Sequence, residues 1–227
     1  MTDQLVIAFD LVGTLLDLSS LDATFRSKFG SSRVRHEWFS EVQKLMFSIT
    51  AAGGYEPFSD IAEAALNVIG ERHEQKLSMM QRRRILQLLR ELPAFPDAKP
   101  ALGVLRSNGF RLVVLTNSAE KAAKQVIESA GLKELFDDVL STEKVKRLKP
   151  APEPYLMVVK ECGVKPRKLL LVAAHSWDVR GAIRAGCRAC FVRRPEQILD
   201  ELTPKPDFVI SDLHELADQL TRAKNAA

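Results

Sequence analysis

The 227-residue chain has little of what marks several large protein classes. Cysteine occurs three times, at Cys162, Cys187 and Cys190, an odd number too small for a disulfide framework and suited to a reducing compartment. No apolar run approaches the roughly 18 residues needed to cross a bilayer, and the N-terminus lacks the basic, apolar and small-residue blocks of a secretory signal. A cytoplasmic protein with no membrane partner is expected. Neither charge sign dominates: 33 basic against 29 acidic residues leave +4. The one basic cluster, Arg82, Arg83 and Arg84, reads as a solvated helix face, so no nucleic-acid partner is expected. A mild positive balance suits an anionic small molecule without requiring one. Internal repeats and low-complexity tracts are also missing.

What remains is an ordinary globular composition, 46% hydrophobic and 27% charged, in a chain long enough for one core carrying an inserted lobe. Short apolar runs at 5–9, 112–115, 169–173, 189–192 and 208–210 read as buried parallel strands. Cys187 and Cys190 form a C-x-x-C beside the fourth of these runs, so they read as buried structural thiols rather than a redox or zinc pair. Between the strands lie amphipathic stretches such as 119–130, with Asn117 and Ser118 as candidate caps and Gly131 as the stop. This alternation predicts an α/β fold with a doubly wound parallel sheet and ligands at the carboxyl ends of the strands. One stretch breaks it. From Leu16 to Pro93 the apolar spacing is helical, as in Val42, Leu45, Met46 and Ile49, which predicts a helical lobe inserted after the first strand. The expected division is a sheet domain of residues 1–15 and 94–227 and a helical domain of residues 16–93.

Candidate chemistry gathers where apolar runs end. Asp10 closes the first run, followed by Gly13 for a tight turn and Thr14 to orient a carboxylate. A buried carboxylate needs donors and a cation nearby; an Asp that merely closes a strand and opens a turn fits the same residues. Thr116-Asn117-Ser118 follows the second run and offers donors at a helix start, as an anion site or simply as a cap. Lys149-Pro150 can bring an ammonium to a carboxylate, and His175-Ser176-Trp177-Asp178 follows the third run.

In that order, Asp10-x-x-Gly13-Thr14, Thr116-Asn117, Lys149-Pro150 and Asp178 resemble the four motifs of the haloacid dehalogenase superfamily. The resemblance covers nearly the whole chain and implies a Rossmann-like core with a helical cap. Phosphatases of that superfamily carry a second Asp two residues after the nucleophile and a magnesium-binding Asp five residues before the Asp178 position. Val12 and Ala173 stand there in this chain. Val12 cannot shuttle a proton, and Ala173 offers a metal no oxygen.

The sequence therefore looks most like the type II, or L-2-haloacid, dehalogenases, a resemblance that extends to Tyr155, the Trp177-Asp178 pair and Phe58. It implies hydrolysis of short (S)-2-haloalkanoic acids to 2-hydroxy acids through an aspartyl ester, with no metal and no cofactor, in a homodimer. By the same resemblance Asp10 is the nucleophile, held by Thr14. Thr116 and backbone N–H groups near Leu11 and Val12 bind the substrate carboxylate, and Asn117, Phe58 and Trp177 line the halide side. Lys149 keeps Asp10 ionised, and Asp178 helps activate water. Tyr155 is a substrate-side candidate that reads equally as a core tyrosine. His175, where the family often has Asn, is a second candidate for activating water. The family's cap carries a Trp-Arg pair whose Arg binds halide; counting from Trp38 places that pair at Phe29-Gly30, leaving Arg33 and Arg35 as candidate substitutes. Two other readings stay open: a phosphatase of the same superfamily, and a binding protein on a decayed enzyme scaffold.

Overall fold

The computed structural model describes residues 4–226, so the first three residues of the expected sheet domain, and Ala227, lie outside the described residues. Six strands form one sheet: β1 (Val6–Phe9), β2 (Arg111–Thr116), β3 (Asp138–Ser141), β4 (Leu169–Ala173), β5 (Arg188–Val192) and β6 (Phe208–Ile210). Their order is β3-β2-β1-β4-β5-β6, and every neighbouring pair is parallel. The doubly wound α/β class expected from the alternation is what the chain forms. β1 is central and buried on both faces: Val6 and Ala8 point into one apolar cluster, Ile7 and Phe9 into the other.

The expected strands all form, and β3 is an addition. Its four residues hold only Val139 and Leu140 as an apolar pair, too brief a run to stand out, and as an edge strand it leaves Asp138 exposed. The helix expected at 119–130 spans Glu120–Ser129, here α6, and ends at Gly131 with φ +68°. Its expected caps do other work. Asn117 accepts the Lys149 N–H at 2.9 Å and the Ser118 N–H donates to Thr116 Oγ1 at 3.1 Å, so α6 starts without a side-chain cap.

Four helices lie between β1 and β2: α1 (Asp22–Phe29), α2 (Arg33–Ala51), α3 (Phe58–Arg72) and α4 (Met79–Leu88). α5 (Ala98–Ser107), α7 (Pro152–Cys162), α8 (Ser176–Arg184) and α9 (Leu213–Asn225) complete the sheet layers with α6. The chain enters and leaves the helical region side by side: Leu16 bridges Val12 and Ala94, the Asp17 N–H donates to Pro93 O at 2.8 Å, and the Phe95 N–H to Leu15 O at 2.9 Å. Beyond this neck Trp38, Val42, Met46, Ile61 and Ala65 join the same apolar cluster as Ile7 and Phe9, so both parts share one core. Trp38 Nε1 donates to Ala62 O at 3.0 Å and locks α2 to α3.

The remaining sequence features sit where their chemistry puts them. Arg83 and Arg84 are exposed, while Arg82 bonds Glu63 and Leu77 O. All three cysteines are free and buried, and burial pushes the Cys187 thiol up to about 12, which makes it inert. Gly181 in α8 is packed hard against the start of α7: a Cβ there would overlap the Tyr155 hydroxyl and lie 2.8 Å from Pro150 O. Gly181→Ala is therefore expected to cost about 1–3 kcal/mol in urea unfolding. Gly103→Ala, in α5 with open space around it, is expected to be neutral or stabilising.

Candidate active site

β1, β2 and β4 end together, and the side chains that follow them meet. Asp10 continues β1 by one residue, its N–H donating to Val172 O at 3.0 Å, which aims its buried carboxylate at the strand ends. Lys149 Nζ lies 2.8 Å from Asp10 Oδ1, 2.6 Å from Asp178 Oδ2 and 3.0 Å from Leu115 O, so all three ammonium donors are used. Thr14 donates to Asp10 Oδ2 at 2.7 Å and accepts the Ala174 N–H at 3.0 Å. Tyr155 donates to Asp178 Oδ1 at 2.5 Å. His175 Nδ1 lies 3.2 Å from Asp10 Oδ2. Asp10, Lys149, Asp178 and His175 are all buried.

Two of these carboxylates behave differently because their surroundings differ. Burial raises the carboxyl pKa of both. At Asp10 the Lys149 charge and the His175 bond outweigh it and hold the group well below its ordinary 3.8. Asp178 lies deeper and faces the Asp10 charge across one shared cation, so it stays above that value. Burial disfavours the Lys149 ammonium, but two carboxylates raise it nonetheless. Tyr155 is driven well upward by burial and by Asp178, and so remains a donor.

Beside Asp10 is a cavity of about 30 Å³ walled by Val12, Phe39, Gln43, Met46, Phe58, Thr116, Asn117, Ser118, His175 and Trp177. His175 stacks on Trp177 with centroids 5.2 Å apart, and Phe39 lies 5.9 Å from His175. His175 Nε2 and Trp177 Nε1 are buried without a partner among the described residues, as polar groups reserved for a ligand would be. The backbone N–H groups of Leu11 and Val12 likewise find no acceptor among the described residues. On its other side His175 borders a polar cleft of about 340 Å³, where its Nε2 edge faces Gly13.

The structure thus gathers Asp10, Thr14, Val12, Thr116, Asn117, Lys149, Phe58, His175, Trp177 and Asp178 at one place. Tyr155 is different: fully buried and bonded to Asp178, it does not line the cavity, so its part is to orient that carboxylate. Leu11 is buried behind the wall and offers only its backbone. Phe29 packs on Phe25 and His73 and Gly30 ends α1, so the pair found by counting from Trp38 is away from the cavity. Arg33 is exposed, and Arg35 is held by Asp22 at 2.5 Å in the polar cleft. The residue that follows Trp38 and does face the cavity is Phe39. Phe39, Gln43 and Met46 share one face of α2 at helical spacing, which in the sequence is indistinguishable from a core stripe.

Magnesium-dependent phosphatases with this sheet bind the ion between carboxylates, and the donors here do not fit it. Val12 and Ala173 are apolar, Ala173 is fully buried, and the Lys149 ammonium fills the space between Asp10 and Asp178. Among the described residues no three His, Cys, Asp or Glu side chains cluster as ligands.

Fold and geometry define an α/β protein of doubly wound type with a buried carboxylate–ammonium cluster at its strand ends. Residues 5–186 match the haloacid dehalogenase-like hydrolase family, and the chain belongs to it. It is 28% identical to (S)-2-haloacid dehalogenase 2 of Pseudomonas sp. (strain CBS-3), over 96% of each chain. The crystal structure of the L-2-haloacid dehalogenase RSc1362 superposes with a TM-score of 0.91 at 28% identity, covering 97% of this chain and 100% of that one. The Xanthobacter autotrophicus L-2-haloacid dehalogenase with covalently bound chloropropionic acid shares the fold, with a TM-score of 0.88 at 23% identity over 96% of this chain and 98% of that one.

Lys149 is the test of this geometry. The stability that ionised Asp10 contributes is complete above its ordinary value of 3.8 and is lost as the pH falls below it. In Lys149→Met, burial and mutual repulsion push both carboxyls up. Stability should then fall as the pH rises from about 5 to 8, with a loss of about 3–5 kcal/mol at neutrality. Urea midpoints across that range measure it; a pH-independent midpoint in the variant would show that Lys149 does not hold the pair.

Proposed function

We propose that this chain hydrolyses short (S)-2-haloalkanoic acids to 2-hydroxy acids through an ester at Asp10, without a metal. The observation that carries this reading is that Val12 and Ala173 stand, without oxygen-bearing side chains, where a phosphatase of this superfamily carries carboxylates, beside an Asp10–Lys149–Asp178 cluster whose charges are already paired. A halide leaves as a stable anion and needs no proton, so the apolar Val12 costs such a reaction nothing.

The residues divide the work in two steps. In the first, the substrate carboxylate is gripped by Thr116 and the free N–H groups of Leu11 and Val12. Thr14 and Lys149 fix the Asp10 carboxylate in line with C2. An Asp10 oxygen forms a bond to C2 with inversion, and halide departs with the bonding electrons toward Asn117, Phe58 and the unpartnered Trp177 N–H. In the second, water attacks the carboxyl carbon of Asp10 and the 2-hydroxy acid leaves. One proton is released per turnover. His175 is the acceptor for it: with Nδ1–H directed at Asp10, its Nε2 has no partner among the described residues and lies buried against Gly13, a residue of the polar cleft's wall. Asp178, with both oxygens engaged by Lys149 and Tyr155, keeps Lys149 charged and so supports the water-activating side.

The division into a sheet domain of residues 1–15 and 94–227 and a cap of residues 16–93 belongs to this reading, since the cap supplies Phe39, Gln43, Met46 and Phe58 to the cavity. No helix among the described residues is long and apolar enough to cross a membrane. A cytoplasmic homodimer is the setting the reading implies.

A single turnover in oxygen-18 water is expected to leave label in the Asp10 carboxyl; label confined to the product would refute the ester. Asp10→Asn should lose about 10⁴-fold or more in kcat, and EDTA should leave halide release unchanged. His175→Gln should give a stoichiometric burst of halide and accumulate the ester, visible by intact mass. Steady turnover without a burst would remove His175 from the second step. Halide release from none of a panel of chloro-, bromo- and fluoroacids would favour a binding protein instead.

A further inference from the structure

The cavity beside Asp10 is about 30 Å³, room for about one or two water molecules. A whole 2-haloalkanoate needs more room, so part of it must enter a neighbouring void. Two neighbouring voids each share three wall residues with the cavity, and they differ in chemistry; another, beside Phe47 and Pro150, touches it at Trp177 alone. The polar cleft meets it at Phe39, Gln43 and His175 and carries Asp17, Asp22, Arg35 and Arg194. A second chamber of about 150 Å³ meets it at Val12, Phe58 and Ser118. That chamber runs between the cap and α6, with Leu86 and Leu89 on one wall and Ala122 and Val126 on the other. Arg90, which is exposed, marks its outer end.

Resting on the dehalogenase reading, we propose that this chamber receives the C2 alkyl group of the substrate, and that the preferred acids carry a linear chain of several carbons. Asp10 attacks C2, so the C2 substituent starts in the small cavity and extends past one of the walls it shares with a neighbouring void. An alkyl group entering the polar cleft would strip water from paired charges, whereas the chamber offers half-buried leucines that gain by being covered. Phe58, at the junction of the two spaces, is the residue the chain passes. The exposed outer end sets no abrupt limit on chain length. Each methylene buried in the chamber is worth about fourfold in kcat/KM until the apolar walls are covered.

The test is halide release from (S)-2-bromopropionate, -butyrate, -hexanoate and -octanoate, by the wild type and by Ala122→Phe, which fills the chamber from α6. The wild type is expected to show kcat/KM rising along the series. In Ala122→Phe the ratio of kcat/KM for octanoate over propionate should fall at least tenfold. That ratio comes from one preparation and is independent of the fraction folded. Rates that are flat or fall with length while the propionate is turned over would overturn the chamber and leave the dehalogenase reading standing, as would an unchanged ratio in the variant. No halide from any of the four acids would overturn both.

Discussion

One ammonium between two buried carboxylates is the constraint on which the rest of the site depends. Lys149 makes a net anionic group of three out of what would otherwise be two repelling charges with no solvent to screen them. Its place is fixed from several sides: the Leu115 carbonyl takes the third donor, and Asn117 holds the Lys149 backbone. Asn117 thereby spends its carbonyl on the scaffold and keeps its amide for the cavity, where it donates to Met46 Sδ at 3.8 Å. Tyr155 relieves the second oxygen of Asp178, and the close contact of Gly181 with Tyr155 and Pro150 keeps that phenol in place. Breaking such a group by removing its centre is far more costly than the modest net gain of having it. Its value is positional: the Asp10 carboxylate stays ionised in a site nearly closed to water.

The cap adds walls rather than charges. Arg35 of α2 is taken by Asp22, and the neighbouring His36 contacts Glu196 at 2.8 Å. Arg194, from the sheet domain, is likewise taken by Asp97. The space at Asp10 is therefore bounded by two phenyls, an indole, an imidazole and neutral amides, with polarity supplied by single N–H and hydroxyl groups. Such surroundings discriminate by shape and by a few directed donors, where a guanidinium would attract any anion.

The parts of this arrangement legible in the sequence are those fixed by strand ends. Asp10, Thr14, Thr116, Lys149 and Asp178 each follow an apolar run or a loop at a set place in a parallel sheet, and the sheet's topology brings such places together whatever else the chain does. The five strands with continuous apolar runs were equally legible. β3 was not, because an edge strand with two apolar residues carries too little signal. Gln43 and Met46 escaped for another reason: a helix face turned to a cavity and one turned to a core have the same periodicity. Arg35 and Tyr155 show the complementary failure. Their partners, Asp22 and Asp178, are 13 and 23 residues away, and only folding reveals that these side chains are already committed.

The chain has two tryptophans, and they sit in opposite circumstances. Trp38 is sealed between α2 and α3 with its N–H bonded to Ala62, while Trp177 lies in the wall beside the nucleophile, stacked on His175, with its N–H free. Heavy halides quench indole emission on contact, and a new charge shifts its wavelength. The molecule thus carries an optical reporter whose shielded member sits between α2 and α3 and whose responsive member sits beside Asp10, so occupancy of the site can be watched without any added label.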